Sequence, residues 1–174
     1  NEDILITRYE VELLANGVIK IDSVPQQTGG TRVSYDLSFE MNRIFFSLPQ
    51  AVVQFRVRAV DNKNLKSEWS PRISAQNAQP QPPDNFTAAG SLNLIDLSWE
   101  VPDEDDIAGY NLYVGTTAGF TPALNNRIYS GSNTSFVYIT STYSVQYFKI
   151  RSVDKFGQES LDAVSSAAPE TPFA

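Results

Sequence analysis

The hydrophobic pattern of this chain has a period of two residues. Apolar side chains alternate with polar ones from Val53 to Ala59 and again from Phe148 to Arg151. Alternation of this kind is typical of antiparallel strands with one buried and one solvated face. No window of a dozen residues shows a clear apolar stripe at helical spacing, and Thr, Val, Ile, Tyr and Phe are abundant. The pattern predicts an all-β chain.

Residues 76–83 lack this alternation and contain three prolines, Pro80, Pro82 and Pro83. Proline cannot donate to a sheet ladder and favours extended backbone, so this composition is typical of a linker. The length of 174 residues also accommodates two sandwich-type domains of about 90 residues each. We therefore expect two domains, residues 1–79 and residues 80–174.

The two halves contain an internal repeat. The run FRVRAVD at 55–61 is followed 93 positions later by FKIRSVD at 148–154. An upstream strand around Tyr9 matches a strand around Tyr110 at a spacing near 101 positions. A repeat at this distance indicates two copies of one small β-domain, and the two spacings indicate about eight extra residues in the first copy.

We place this insertion in the region 26–41. Thr28-Gly29-Gly30 marks a turn there, and the residues that follow alternate in polarity. The alternation predicts an additional or lengthened strand over 33–41, with its apolar positions at Val33, Tyr35, Leu37, Phe39 and Met41.

Each repeated strand is followed by a turn in which Asn64 of the first copy aligns with Gly157 of the second. Asn and Gly are the residues that adopt positive φ at the lowest cost. We predict a hairpin with a left-handed residue at this position in both copies.

Composition removes most catalytic chemistry. The chain has no Cys and no His, which excludes thiol nucleophiles, imidazole bases and zinc sites with nitrogen or sulfur ligands. The net charge is −7, and the whole excess lies in residues 80–174. An acidic surface repels polyanions, and no apolar run reaches the length of a membrane helix. We expect no enzyme activity, no cofactor or metal, no nucleic-acid binding and no membrane insertion.

The second copy resembles a fibronectin type III domain. The resemblance rests on the runs 82–88, 94–99 and 106–113 and on the strand 148–154. It implies two packed sheets, with Trp99 on strand B and Tyr110 on strand C forming the core between them. By this resemblance residues 80–174 are a complete domain. Residues 1–79 match only strands C to G, so strands A and B of the first domain are expected upstream of Asn1 or are missing.

A narrower resemblance is carried by the runs 105–110, 119–122 and 153–160, which are similar to the tandem domains of bacteriophage tail-tip and host-specificity proteins. It implies a structural module for host attachment, located in the virion. The partners would be other copies or other domains of a larger, trimeric parent protein and a host cell-surface receptor. The opening at Asn1, without an initiator Met, fits our expectation that the chain is a fragment.

Bacterial secreted hydrolases and adhesins use related domains, so an extracellular accessory module of a carbohydrate-active enzyme or an adhesin is the alternative. That alternative predicts an exposed row of aromatic side chains for stacking on sugars. The candidates for such a row are Tyr113, Tyr129, Tyr138, Tyr143 and Tyr147.

One group of residues is a candidate interaction surface. If Phe55 faces the core, then Arg56 and Arg58 lie on the outer face, and the turn at Asn64 brings Trp69 beside them. Stacking of the guanidinium groups on the indole is then expected, and a role of Trp69 in binding a partner is the alternative. The acidic run 103–106 is interpreted as a solvated turn, because it lacks the ligand spacing of a calcium loop.

Overall fold

The computed structural model describes residues 5–27 and 32–168. The chain divides into two compact units, Asn1–Asn77 and Ala78–Ala174. Antiparallel strands dominate both units, which confirms the all-β fold class. No helix among the described residues is long and apolar enough to cross a lipid bilayer.

The first unit contains a four-stranded antiparallel sheet in the order β2-β1-β3-β4. A two-residue turn, Asn16-Gly17, joins β1 to β2, and both of its residues have positive φ, 46° and 76°. This is the backbone that a tight hairpin between twisted strands requires. The strands are β1 (Ile6–Ala15), β2 (Val18–Pro25), β3 (Val52–Asp61) and β4 (Ile73–Gln76).

A short helix, α1 (Phe39–Phe46), covers one face of this sheet. Phe46 of the helix packs with Val11 and Leu13 of β1 and with Val53 of β3. Residues 32–38 form a strap without regular secondary structure, and Tyr35 and Leu37 of the strap pack against the same cluster. Within the described residues of this unit, helix and strap stand where a second sheet would close the sandwich.

The predicted strand over 33–41 is wrong. The side chains of the strap do alternate between half-buried and exposed, but residues 32–38 do not join a sheet ladder. Helix α1 then begins because the Ser38 hydroxyl accepts a hydrogen bond from the Met41 N–H, at 3.2 Å, and so caps the first turn. The predicted turn at Thr28-Gly29-Gly30 lies outside the described residues.

Two grooves border the strap on this face of the sheet. The larger has a volume of about 520 Å³ and is lined by apolar side chains that include Leu13, Phe55 and Val57. Val57 lies on the face of the sheet that the helix and strap cover only in part, and the residue remains 40% exposed. The first unit therefore buries its sheet less completely than a closed sandwich does.

The second unit is a sandwich of two antiparallel sheets. One sheet has the order β11-β10-β7-β8 and the other has the order β5-β6-β9. A short 3-10 helix, Leu124–Asn126, precedes β8. The strands are β5 (Asp84–Ser91), β6 (Leu94–Glu100), β7 (Ile107–Gly115), β8 (Arg127–Gly131), β9 (Ser135–Ile139), β10 (Gln146–Asp154) and β11 (Ala163–Ala167).

The core of the second unit lies between these sheets, as predicted. Trp99 of β6 meets Tyr110 of β7 edge to face at 5.6 Å and Phe86 of β5 at 6.2 Å, measured between ring centroids. Edge-to-face pairs of this kind add to the free energy gained from burial. The predicted core residues are all buried: Trp99, Tyr110, Leu112, Phe148 and Ile150.

The repeated turn is the same in both units. Asn64 has φ 63° and Gly157 has φ 81°, which confirms the predicted left-handed residue. A carboxylate oxygen closes each turn: Asp61 accepts from the N–H groups two and four residues later, and Asp154 does the same. These bonds fix the direction in which the chain leaves the turn.

Candidate functional site

The candidate surface lies on the outer face of the first sheet, opposite α1. Because side chains alternate along β3, Phe55 faces the core while Arg56 and Arg58 face outward. The Trp69 ring, which follows the Asp61–Asn64 turn, lies against both arginines. Its centroid is 4.9 Å from the guanidinium carbon of Arg56 and 4.2 Å from that of Arg58. The expected stacking is present.

Two carboxylates of β1 lie beneath these arginines. Arg56 donates to both oxygens of Glu12, from Nε at 3.0 Å and from Nη2 at 2.8 Å. Arg72 donates to Glu12 as well. Such two-point contacts fix the plane of the guanidinium as well as its position, so the ring of Trp69 stacks on a group that is already held in place.

Glu10 is the centre of a second set of ion pairs. Arg58 donates to Glu10 Oε2 from Nη2 at 2.6 Å, and Lys66 Nζ lies 3.0 Å from Oε1. Arg8 is more distant, with Nη2 3.9 Å from Oε1. Both carboxylates are buried, whereas the cations around them stay partly exposed. We call these eight residues the arginine–tryptophan ladder: Arg8, Glu10, Glu12, Arg56, Arg58, Lys66, Trp69 and Arg72.

The ladder holds both carboxylates in their charged form. Hydrogen bonds from Lys66 and Arg58 lower the pKa of Glu10, and burial opposes them only in part. The hydrogen bonds from Arg56 lower the pKa of Glu12 in the same way. Buried charges are tolerated when they are paired and hydrogen-bonded, and these two satisfy that condition.

Cations outnumber carboxylates in the ladder by five to two. This outer face therefore offers positive charge beside an aromatic ring, although the sequence of the unit as a whole is balanced between acids and bases. Guanidinium groups that are planar and already oriented suit carboxylate or phosphate groups of a partner.

The sequence identified Trp69, Arg56 and Arg58 but missed the two glutamates. Their signal was the spacing in β1: Glu10 and Glu12 are two residues apart and therefore share a face. The pairing of Glu10 with Arg58 and of Glu12 with Arg56 follows from the register of β1 on β3. The register of two strands that are distant in sequence cannot be derived from a local pattern. The internal repeat did not point to the glutamates either, because the matching positions of the second copy are Asn111 and Tyr113, which carry no carboxylate.

The second unit builds a different network on its corresponding face. Asp162, which stands 93 positions after Trp69, accepts from Arg151 Nε at 2.6 Å and pairs with Lys149 at 3.0 Å. Glu159 accepts from Arg151 at 2.8 Å and from Asn111 at 2.6 Å. Arg127 also donates to Asn111 Oδ1 at 3.4 Å, so two carboxylates here face three cations, and the excess of positive charge is smaller than in the first unit's ladder.

The tyrosines proposed as a sugar-binding row do not form one. Tyr113 is 4% exposed and donates its hydroxyl to Glu159. Tyr129 and Tyr138 pack against the core of the second unit. Among the candidates, Tyr143 is exposed, at 42%. Tyr147 is half-buried, so the five candidates do not present the exposed row that an accessory module of a carbohydrate-active enzyme often carries.

The acidic run 103–106 lies in the connection between β6 and β7. Glu104 accepts a hydrogen bond from the Gln81 N–H at 3.2 Å, and Lys155 donates to the Asp105 carbonyl at 2.8 Å. In the part of the chain that the structure describes, no three acidic side chains are grouped closely enough to hold a metal ion.

Solved structures that are similar to this chain include a tandem of fibronectin type III domains. A segment of two fibronectin type III domains from chicken tenascin is 16% identical, with a TM-score of 0.54, over 96% of this chain and 95% of the tenascin chain. The spore cortex lytic enzyme SleM of Clostridium perfringens is 20% identical, with a TM-score of 0.44, over 57% of this chain and 33% of SleM. An Fn3-like protein from Clostridium thermocellum is 20% identical, with a TM-score of 0.43, over 56% of this chain and 98% of that protein.

No family model matches the sequence, and no curated protein matches it. This chain spans one third of the SleM chain. At these identities the likeness concerns the fold, and the tenascin segment carries it. The fold class is the fibronectin type III-like β-sandwich.

Proposed function

We propose that this chain is a non-catalytic structural and interaction module of a phage tail-tip or tail-fibre protein, acting as a spacer in host attachment. The observation that carries the structural role is the ion pairing of charged side chains on the outer faces of the sheets. Carboxylates of the same unit hold Arg56 and Arg58 in the first unit and Arg151 in the second. Such networks tie neighbouring strands together, which suits a module that must keep its shape.

The phage setting is supported by the three runs at 105–110, 119–122 and 153–160 that are similar to tail-tip domains. In the structure these runs occupy the start of β7, the loop before β8, and the turn after β10. In this proposal the module belongs to the virion, and its partners are other domains or other copies of a larger parent protein. Contact with the host receptor is made mainly elsewhere in that parent.

The location can be tested by immunogold electron microscopy. Antibodies raised against the 174-residue chain are applied to phage particles released by the source strain. Gold at the tail tip or tail fibres is the expected result. Labelling confined to a secreted enzyme or to the cell surface, with unlabelled particles, contradicts the phage setting and favours the accessory module of a secreted protein.

The spacer role has its own test, which is adsorption of the fluorescently labelled chain to susceptible bacteria. We expect weak binding that does not saturate and does not block infection. Trp69→Ala, which removes the aromatic part of the ladder, should adsorb as the parent does. Nanomolar, saturable binding that blocks infection and is lost in Trp69→Ala would refute the spacer role and assign receptor binding to the ladder.

A further inference from the structure

Strand β2 forms an edge of the first sheet and carries two exposed isoleucines. Ile19 is 54% exposed and Ile21 is 57% exposed. Between and beside them lie Lys20, which is exposed, and Asp22, which is half-buried. Exposed edges are commonly protected by proline, bulges or charged side chains. Residues 18–24 pair with β1 in continuous register and contain no proline, and their two charges, Lys20 and Asp22, are of opposite sign.

The backbone of β2 shows which of its groups point outward. In a hairpin with a two-residue loop, the residues beside the loop, here Ala15 and Val18, form a hydrogen-bonded pair. Further along this pair of strands, the N–H of Gln26, which is also even-numbered, donates to the Thr7 carbonyl at 2.9 Å. The even-numbered residues of β2 therefore bond to β1, and the backbone groups of Ile19, Ile21 and Ser23 point away from the sheet.

We infer that a second copy of this chain pairs with this edge, β2 against β2, in an antiparallel two-fold dimer. In the register that we propose, Ile21 faces Ile21 of the second copy and exchanges two backbone hydrogen bonds with it. Ile19 of each copy then faces Ser23 of the other copy, and the Ile19 N–H donates to that Ser23 carbonyl. The Ser23 N–H already binds the Asp22 carboxylate at 2.8 Å, so it is not needed for this pairing.

The charges of β2 select this register. With Ile21 opposite Ile21, Lys20 of each copy faces Asp22 of the other, in pairs without backbone hydrogen bonds, where side chains approach most closely. The strands can shift to a neighbouring register only if the outward-pointing residues stay opposite one another. Such a shift in one direction places Lys20 opposite Lys20. A shift in the other direction places Asp22 opposite Asp22. Both alternatives set like charges against each other, and the proposed register alone among the three gives two ion pairs.

Apolar contacts agree with the same register. Ile21 of one copy packs on Ile21 of the other on the outer face of the joined sheet, beside the two Ile19 side chains. On the opposite face Val18 lies across from Val24. The pairing thus covers the apolar side chains that β2 leaves exposed, and it converts two four-stranded sheets into one continuous sheet.

Cross-linking tests the register directly, because the native chain has no cysteine. In the proposed dimer the Cα atoms at position 21 are about 5.5 Å apart, which lies within the range of a disulfide. We expect Ile21→Cys to form a disulfide-linked dimer under mild oxidation, at least about tenfold faster than the matched control Ser23→Cys, whose two copies are staggered along the strands. Equal rates for the two variants would overturn the register.

Sedimentation velocity of the 174-residue chain over a concentration series tests the association itself. We expect a reversible monomer–dimer equilibrium. Lys20→Asp should weaken it by at least about tenfold, since both ion pairs become repulsive, whereas Lys63→Asp, the same change in charge away from β2, should not. Ile21→Pro, which removes an outward N–H but no bond to β1, should also abolish the dimer. A monomer at all concentrations, or a trimer, would overturn the proposal.

Discussion

At the scale of single residues, the ladder in the first unit depends on charged carboxylates. Glu12 is buried beneath Arg56 and Arg72, and its pKa lies below the ordinary value of 4.5 because these partners favour the ionised form. A carboxyl group whose pKa is lower in the folded state stabilises the fold above its unfolded pKa. This contribution is lost as the pH falls through the folded pKa.

We therefore expect Glu12→Gln to destabilise the first unit by about 1.5–3 kcal/mol at pH 7, the range for hydrogen bonds to charged groups. As the pH is lowered through and below 4.5, the difference in free energy of unfolding between parent and variant should shrink. Denaturant unfolding at several pH values measures it. Glu68→Gln, a change at an exposed site of the same unit, is the control. A difference that stays constant with pH would contradict the proposed role of the charge.

The sequence predicted one part of the ladder correctly because that part is local. Alternation in β3 placed Arg56 and Arg58 on one face, and the turn at Asn64 returned Trp69 to them. The glutamates depend on which strand lies beside β3 and in which register. Strand order and register arise from the packing of the whole sheet, so a local pattern could not supply them.

At the scale of elements, α1 shows how two periodicities compete. Phe39 and Met41 continue the alternation of the strap, and that alternation favoured a strand. The buried residues Asn42 and Phe46 are four apart, which is the spacing of a helix face. Ser38 before an acidic Glu40, with Arg43 in the last turn, was the signal of a capped helix. In a helix of eight residues this signal is short, and the alternation obscured it.

The Ser38 cap gives a test of this assignment. We expect Ser38→Ala to lower the stability of the first unit by about 1 kcal/mol, because the Met41 N–H loses its acceptor. Ser34→Ala, an exposed position in the strap, should have little effect. Thermal unfolding followed by circular dichroism compares the two. Equal stability of both variants would show that the cap contributes nothing to the helix.

At the scale of the whole molecule, the two units differ in how completely they bury their sheets. The first unit covers one face with a helix and a strap and leaves Val57 40% exposed. In the second unit two sheets enclose the core, and Phe148 and Ile150 are 0% exposed. Because burial of apolar area is the main favourable term in folding, the first unit should be the less stable of the two.

We expect two unfolding transitions in calorimetry, with the lower one belonging to residues 1–77. Phe46→Ala should move only the lower transition to lower temperature, and Phe148→Ala only the upper one. Each substitution should reduce the free energy of unfolding of its own unit by about 3–5 kcal/mol. Hydrogen exchange assigns the transitions: amides of β1 and β3 should exchange faster than those of β7 and β10. Stronger protection in the first unit would reverse the order and would show that the helix and strap close the sheet as well as a second sheet does.

The chain has two tryptophans, and each unit contains one of them. Trp99 is enclosed in the core of the second unit, and its indole N–H finds no hydrogen-bond partner among the described residues. Trp69 lies against two guanidinium groups near solvent. An indole in apolar surroundings emits at shorter wavelengths than one beside water and charge. Intrinsic fluorescence therefore carries a separate optical signal from each unit, with a blue emission from Trp99 and a redder one from Trp69, and no label has to be attached to tell them apart.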